Sequence, residues 1–158
     1  MTHLNNGDAF PSLTLDTVSD GNVSVTRDLV GHHGVVLFYR GSWCPYCNAQ
    51  LSAFARAKEK LDDLGIRIVA LSVDSAADTA ALVEKHRLNF PIGHGVDADT
   101  IAASTGAYVN DSPRYLQSTG FVLDPGGRVL TAVYSSGAIG RLVPEDVIGF
   151  VRYVKSRS

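Results

Sequence analysis

An apolar strand, an amphipathic helix and a second apolar strand follow one another in the first half of the chain, and this order most constrains the fold. Residues 35–40 (VVLFYR) and 66–74 (IRIVALSVD) are short runs rich in β-branched residues, which are typical of strands buried on both faces of a mainly parallel sheet. Between them, residues 47–64 repeat apolar side chains on one helical face, and Gly65 supplies a stop. The sequence therefore predicts a βαβ unit.

The second half of the chain changes to an antiparallel pattern. Residues 119–124 and 128–134 flank the turn Pro125-Gly126-Gly127, which predicts a hairpin. A closing helix is expected from Pro144, because proline suits the first helical position and apolar residues then recur on one face. The elements predicted between the two halves are a helix from Ser75, a short strand or turn at 90–96 and a helix near Asp99. Together these elements predict a central sheet of about four or five strands flanked by helices.

Composition and charge narrow the possible partners. A chain of 158 residues with 45% hydrophobic residues fits a single domain over residues 1–158. The net charge is −2 and the basic residues are scattered, so we expect neither nucleic acid nor a membrane as partner. Residues 1–13 lack the basic and apolar regions of a signal peptide, and no apolar run approaches the roughly 18 residues of a membrane span. These features predict a cytoplasmic protein.

The chain's two cysteines, Cys44 and Cys47, lie where the first strand meets its helix. If Cys44 caps that helix, Pro45 takes the first helical position and Cys47 lies one turn in on the same face, so that the two thiols can meet. Free N–H groups and the positive end of the helix dipole stabilise a thiolate at this place. We therefore predict Cys44 as the exposed, low-pKa nucleophile and Cys47 as the thiol that resolves the mixed disulfide.

Two other interpretations of the cysteine pair stay open on the residues alone. A CxxC pair can be half of a zinc site, but structural zinc needs four ligands, and the candidates to complete it are His3, His32, His33, His86 and His94. Two buried, inert cysteines are also possible, since free cysteine is often buried. In a reducing cytosol an isolated pair is more often catalytic, so we favour a redox pair with no metal and no cofactor.

Three neighbours of the pair are candidate supporting residues. Arg40, at the end of the strand, either holds a thiolate or a peroxide oxygen or forms an ordinary surface ion pair. Trp43 either contacts substrate or wedges the edge of the sheet. Tyr46 either borders the substrate groove or shields the disulfide.

The motif and the order of elements resemble the thioredoxin-like fold. Residues 43–47, Trp-Cys-Pro-Tyr-Cys, combine the tryptophan of thioredoxins with the Cys-Pro-Tyr-Cys of glutaredoxins. From about residue 7 to 154 the chain resembles the alkyl hydroperoxide reductase and thiol-specific antioxidant (AhpC/TSA) group, and within it the peroxiredoxin-like subgroup with a CxxC pair. The stretches that carry this resemblance are GDAFPSLTLDTVSDGNVSV, VVLFYRGSWCPYC and STGFVLDPGGRV. It implies an α/β, thioredoxin-like fold whose central mixed sheet is flanked by helices, with a peroxiredoxin-type N-terminal extension.

The motif departs from the peroxiredoxin pattern at the positions that bind peroxide. In the family's register Arg40 takes the place of the active-site proline, Cys44 that of the threonine and Cys47 that of the peroxidatic cysteine. Ser118 takes the place of the family's arginine, which is also about where thioredoxins keep a cis-proline. A serine hydroxyl can donate one hydrogen bond but supplies no positive charge.

The resemblance and these departures together lead to a functional expectation. We expect an antioxidant thiol-disulfide oxidoreductase that reduces disulfides and, more slowly, peroxides. An external thiol such as thioredoxin or glutathione would return the electrons. The alternative is a non-catalytic module in which the CxxC pair serves as a redox-sensing latch or holds an iron–sulfur cluster.

Overall fold

A seven-stranded mixed sheet forms the centre of the protein in the computed structural model, which describes residues 2–157. Met1 and Ser158, the two ends of the predicted domain, lie outside the described residues, and the extent of that domain stays a prediction. The strands are β1 (Thr14–Thr17), β2 (Asn22–Ser24), β3 (His33–Phe38), β4 (Ile66–Leu71), β5 (Ile92–His94), β6 (Val109–Asn110), β7 (Tyr115–Leu116), β8 (Thr119–Leu123) and β9 (Val129–Tyr134). The helices are α1 (Val25–Leu29), α2 (Pro45–Arg56), α3 (Lys58–Asp63), α4 (Ala76–His86), α5 (Ala98–Thr105) and α6 (Pro144–Ser156).

Seven of these nine strands form the main sheet, in the order β2-β1-β5-β4-β3-β8-β9, and β6 and β7 pair antiparallel in a separate two-stranded sheet. Strands β3, β4 and β5 are parallel, which confirms the βαβ unit, and β8 and β9 form the predicted antiparallel hairpin. The expected number of about four or five strands was too low. The hairpin of β1 and β2 extends the sheet because Asp16 and Thr17 pair with the edge of β5. Strands of three or four residues carry too little periodic pattern to be recognised without that pairing.

Apolar residues on the two faces of the sheet form two separate cores. Because side chains alternate along a strand, Val35 and Leu37 of β3 face one core, whereas Val36 and Phe38 face the other. Helices α2, α3, α4 and α6 contribute to the first core, and α1 and α5 contribute to the second. All six residues of β3 are buried, as expected for a strand covered on both faces.

The ends of several elements differ from the sequence prediction. The helix expected at 47–64 begins at Pro45 and is interrupted at Ala57, where α2 gives way to α3; Gly65 follows with a positive φ of 72°. Strands β3 and β4 end at Phe38 and Leu71, a few residues before the expected ends. None of the helices described for residues 2–157 is long and apolar enough to cross a membrane.

Candidate active site

Cys44 caps the N-terminus of α2, at the position predicted from the motif. Its Sγ accepts the N–H of Cys47 at 3.3 Å, and Pro45 occupies the first turn of the helix. Proline has no N–H and its φ is already helical, so this position costs nothing. Cys47 lies one turn into the helix, and both cysteines are free thiols. The sequence therefore brings the two sulfurs together as expected.

Both thiols are buried, which corrects the expectation that Cys44 is exposed. The exposed fraction of Cys44 and of Cys47 is 0%. The side chain of Cys44 turns back over the start of α2 and joins the core that also contains Tyr39. Trp43 and Tyr46, which flank Cys44, are exposed to 53% and 57%. The motif thus presents two aromatic rings to solvent and keeps its sulfurs beneath the surface.

Two guanidinium groups lie against the buried thiols. Nη1 of Arg40 is 3.8 Å from Sγ of Cys44. Nη2 of Arg141 is 3.1 Å from Sγ of Cys47 and 3.7 Å from Sγ of Cys44. The sequence indicated that Ser118 supplies no positive charge and that Arg40 is a candidate to hold a thiolate. Side chains from other positions supply that charge.

Arg40 is held by two neutral side chains, those of Gln117 and Tyr115. Its Nε donates to Oε1 of Gln117 at 3.0 Å, and its Nη2 donates to the hydroxyl of Tyr115 at 2.8 Å. The guanidinium also lies over the ring of Trp43, 5.0 Å from the ring centroid, and Trp43 packs edge to face with Tyr115. Of the two interpretations weighed for Arg40, this geometry matches a residue at the thiolate and differs from an ordinary surface ion pair.

Arg141, which the sequence interpretation missed, lies in residues 135–143 between β9 and α6. It follows Cys44 by 97 residues, and no local motif marks it. Its guanidinium lies 5.8 Å from the ring centroid of Tyr46 and donates to the carbonyl of Ala138. The buried side chain of Gln50 ties this loop to α2, since its Nε2 donates to the carbonyl of Leu142 at 2.9 Å.

Ser118 makes none of the hydrogen bonds to the thiols found within residues 2–157. It is buried just before β8, and its carbonyl accepts the N–H of Ser135 at 3.0 Å. The cis peptide bond found among the described residues joins Ser112 and Pro113, away from this position. Gln117, the residue before Ser118, contacts the site through its hydrogen bond with Arg40.

The surroundings shift the pKa values of the two thiols in opposite directions. Burial by itself would raise the pKa of Cys44, but hydrogen bonds from the thiol and the N–H of Cys47, with Arg40 and Arg141 nearby, outweigh it and lower that pKa. Burial raises the pKa of Cys47, and its hydrogen bond to Cys44 raises it further, against the N–H of Arg40 and the guanidinium of Arg141. The site is therefore arranged to hold a thiolate at Cys44 and a thiol at Cys47.

Comparison with known proteins identifies the family. The family model of the AhpC/TSA family matches residues 6–132. This chain belongs to that family. It is 29% identical over 145 residues to a peroxiredoxin of Treponema denticola, a match that covers 89% of this chain and 69% of the relative. It is 27% identical over 126 residues to a mouse protein named mitochondrial thioredoxin-dependent peroxide reductase, covering 76% of this chain and 49% of the relative.

The structural comparison agrees with the sequence comparison. The crystal structure of peroxidoxin BcpB from Mycobacterium tuberculosis superposes with a TM-score of 0.84 and 19% identity, over 96% of this chain and 99% of that chain. The predicted thioredoxin-like α/β fold, the AhpC/TSA family and the class of thiol-based oxidoreductases are confirmed. The alternative of a non-catalytic module is not favoured by these relatives.

Proposed function

We propose that this AhpC/TSA protein is a thiol peroxidase in which Cys44 and Cys47 cycle between a dithiol and a disulfide while a hydroperoxide is reduced. The observation that carries the proposal is the placement of two guanidinium groups, from Arg40 and Arg141, against a buried pair of thiols. Peroxide reduction places negative charge on oxygen as the O–O bond breaks. Fixed cationic donors at that place stabilise this charge, and losing one such donor typically costs about 10²–10³ in rate.

The same geometry favours a small oxidant over a protein disulfide as the first substrate. Neither sulfur is exposed, so a folded protein cannot bring a disulfide to Cys44 without displacing the surrounding side chains. A hydroperoxide group is much smaller, so it can reach Cys44 with much less displacement of these side chains. This reverses the order of preference expected from the sequence, because that order rested on an exposed thiolate and on the loss of the threonine and arginine donors of the family.

In the first step the Cys44 thiolate attacks one oxygen of ROOH. An S–O bond forms and the O–O bond breaks, ROH leaves after one proton is taken up, and Cys44 becomes a sulfenic acid. The Cys47 thiol then attacks that sulfur, the disulfide forms, and water is released. The two thiols lose two electrons and the peroxide gains them. The low pKa of Cys44 and the raised pKa of Cys47 support this division of roles.

A groove beside the thiols supports organic hydroperoxides as substrates. It has a volume of about 310 Å³ and runs between α2 and the loop that carries Arg141. Tyr46 and Arg141 line it at the end near the thiols. Its other lining side chains include Ala49, Ala53, Ile139 and Val143. The groove suits an apolar R group of ROOH whose peroxide end is held at the guanidinium groups.

An external thiol reductant returns two electrons to the disulfide. Thioredoxin or glutathione is our proposal for its identity, and the mouse relative named as thioredoxin-dependent supports the first. A cytoplasmic location and the use of Trp43, Pro45 and Tyr46 as supporting residues belong to the same proposal. Pro45 would preorganise the turn, and the two aromatic rings would border the entrance to the thiols.

The proposal is tested by comparing three oxidants at equal concentration with thioredoxin as donor: hydrogen peroxide, cumene hydroperoxide and glutathione disulfide. Both hydroperoxides should be reduced faster than the disulfide. Cys44→Ser should abolish peroxide consumption, whereas Cys47→Ser should retain a first turnover and accumulate a sulfenic acid or mixed disulfide on Cys44, detectable by mass spectrometry. A wild-type protein that reduces the disulfide fastest would contradict the peroxidase proposal. Peroxide consumption at the wild-type initial rate by Cys44→Ser would reverse the roles of the two cysteines.

A further inference from the structure

Asp74 contacts the turn that carries Cys44, although it lies outside the CxxC motif. Its Oδ2 accepts the N–H of Ser42 at 2.8 Å. Ser42 lies in the middle of the turn that joins β3 to α2, and the N–H of Cys44 closes this turn on the carbonyl of Gly41 at 3.1 Å. One side-chain carboxylate therefore fixes the middle peptide of the turn that ends at Cys44.

The position of Asp74 is itself determined by two backbone hydrogen bonds. Its N–H donates to Oγ of Ser72 at 3.1 Å, and its carbonyl accepts the N–H of Gly95 at 2.7 Å. These bonds attach Asp74 to the carboxyl ends of β4 and β5. On the other side of the turn, the carbonyl of Ser42 accepts Nδ2 of Asn48 at 2.9 Å. The peptide of Ser42 is thus held between the sheet and α2.

The position of this turn matters for the chemistry of Cys44. The sulfur stabilises its negative charge by accepting the N–H of Cys47 at 3.3 Å, and it can do so only while Cys44 stays in the capping position. A displacement of the turn would lengthen this bond and move the sulfur relative to Arg40. Small misplacements of reacting groups can cost about 10²-fold in rate.

Asp74 is half-buried, so its carboxylate is a strong acceptor that is partly withdrawn from water. Burial raises its pKa, and the hydrogen bond from Ser42 opposes that rise. A carboxylate that served only solubility, or that only capped α4, would not need to be half-buried against the N–H of Ser42. Ser75, and not Asp74, caps α4, with its side chain accepting the N–H of Asp78.

We propose that Asp74 is a positioning residue that sets the turn before α2 and thereby keeps the Cys44 sulfur over the N-terminus of the helix. The role assigned to Cys44 rests on the proposed function. The position of the turn and the acidity of the thiol do not, because both can be measured without a substrate.

The test compares Asp74→Ala, which loses the acceptor, with Asp74→Asn, which loses the charge but keeps an oxygen that can accept from Ser42. Asp78→Ala is the matched control, because it removes an exposed carboxylate near the same site. The measurements are the pH dependence of alkylation of the first thiol by iodoacetamide and the fluorescence of Trp43, the only tryptophan in the chain. Rates with cumene hydroperoxide complete the comparison.

Positioning predicts that Asp74→Ala raises the pKa of the first thiol by about 0.5–1 unit, the size of one lost hydrogen bond. It also predicts a changed Trp43 emission and a peroxide rate about 10-fold lower or more. The pKa of the first thiol in Asp74→Asn and in Asp78→Ala should stay within about 0.3 unit of the wild-type value. If the carboxylate acted only through its charge, both substitutions at Asp74 would lower the thiol pKa equally, and the inference would be overturned.

Asp74→Glu keeps the inference testable if Asp74→Ala fails to fold. It retains the charge but moves the carboxylate by one methylene group. Positioning predicts a raised thiol pKa and a changed Trp43 emission for this variant. A wild-type thiol pKa in Asp74→Glu would overturn the inference even if peroxidase activity were present. A raised thiol pKa in Asp74→Glu, together with a wild-type protein that reduces no peroxide, would instead support the inference and contradict the proposed function.

Discussion

At the scale of single residues, the chemistry of the site depends on the positions of two cationic side chains. Arg40 and Arg141 contact the two thiols, while Ser118, at the position that matches the family's arginine, makes no contact of this kind within the described residues. At Cys44 the hydrogen bonds from Cys47, together with Arg40 and Arg141, outweigh the penalty that burial imposes on a thiolate. Arg40 and Arg141 lie at similar distances from Sγ of Cys44, 3.8 and 3.7 Å, and Arg141 also contacts Cys47, so its removal affects both sulfurs.

Replacing Arg141 by glutamine should therefore impair peroxide reduction without unfolding the protein. We expect the rate constant for cumene hydroperoxide to fall about 10²-fold, the usual effect of losing one charged donor at an oxyanion, and the pKa of the Cys44 thiol to rise. Stopped-flow kinetics and the pH dependence of alkylation measure both effects. Arg152→Gln, an exposed change on α6, is the matched control. Equal rates for the two variants would contradict a role for Arg141 at the peroxide.

At the scale of elements, the sheet positions the loop that carries Arg141. Gly120 lies in β8 and has no side chain, and Leu142 of that loop packs directly over it. A Cβ built on Gly120 would lie 2.7 Å from Cδ1 of Leu142, which is closer than such atoms approach in proteins. The loop can thus approach the sheet, and Arg141 can reach the thiols, because β8 has a glycine at this point.

Gly120→Ala should displace the loop and with it the guanidinium of Arg141. Overpacking of this kind typically costs about 1–3 kcal/mol of stability, which urea denaturation can measure. We also expect a slower reaction with hydroperoxide and a raised pKa of Cys44, since Leu142 and Arg141 are adjacent. Gly137→Ala, in the same loop but with no atom within 4 Å of the added Cβ, should change neither quantity. A wild-type thiol pKa in Gly120→Ala would show that the loop adjusts without moving Arg141.

At the scale of the whole molecule, the lowered pKa of the Cys44 thiol results from segments that are far apart in the chain. The turn after β3 supplies Arg40, the start of α2 supplies both sulfurs, and the loop before α6 supplies Arg141. The first core, which contains Tyr39, Cys44, Cys47 and Leu142, holds these segments on one side of the sheet. The lowered pKa of the Cys44 thiol is therefore a property of the folded protein, and denaturation should return it to the ordinary value.

The pH dependence of the native protein should reflect this assembly. Because the folded pKa of Cys44 is lowered, the rate with hydroperoxide should remain at its plateau as the pH falls below the ordinary thiol pKa of about 8.5. The rate should decrease only when the pH passes through the lowered value, where the thiolate is protonated. Alkylation of the protein in 6 M guanidinium should instead follow the ordinary value. Coincident profiles for native and unfolded protein would contradict the lowered pKa.

The sequence by itself determined the βαβ unit, the hairpin, the closing helix and the place of the cysteines. These features depend on local patterns: apolar periodicity in β3 and α2, turn residues at 125–127, and a proline after a capping residue at the start of α2. Each of these patterns can be recognised from one short, continuous stretch of the sequence. For the same reason the family resemblance was visible from short stretches spread over about residues 7–154.

The tertiary structure alone decided the width of the sheet, the burial of the thiols and the contribution of Arg141 to the positive charge. The hairpin of β1 and β2 joins the sheet through its pairing with β5, and Arg141 reaches Cys47 from the loop before α6, which packs on Gly120 and Gln50. Contacts between residues about a hundred positions apart leave no periodic signal in a single sequence. Burial and charge depend on the sum of such contacts, so the chemistry of this cysteine pair is set by the folded molecule more than by the motif that contains it.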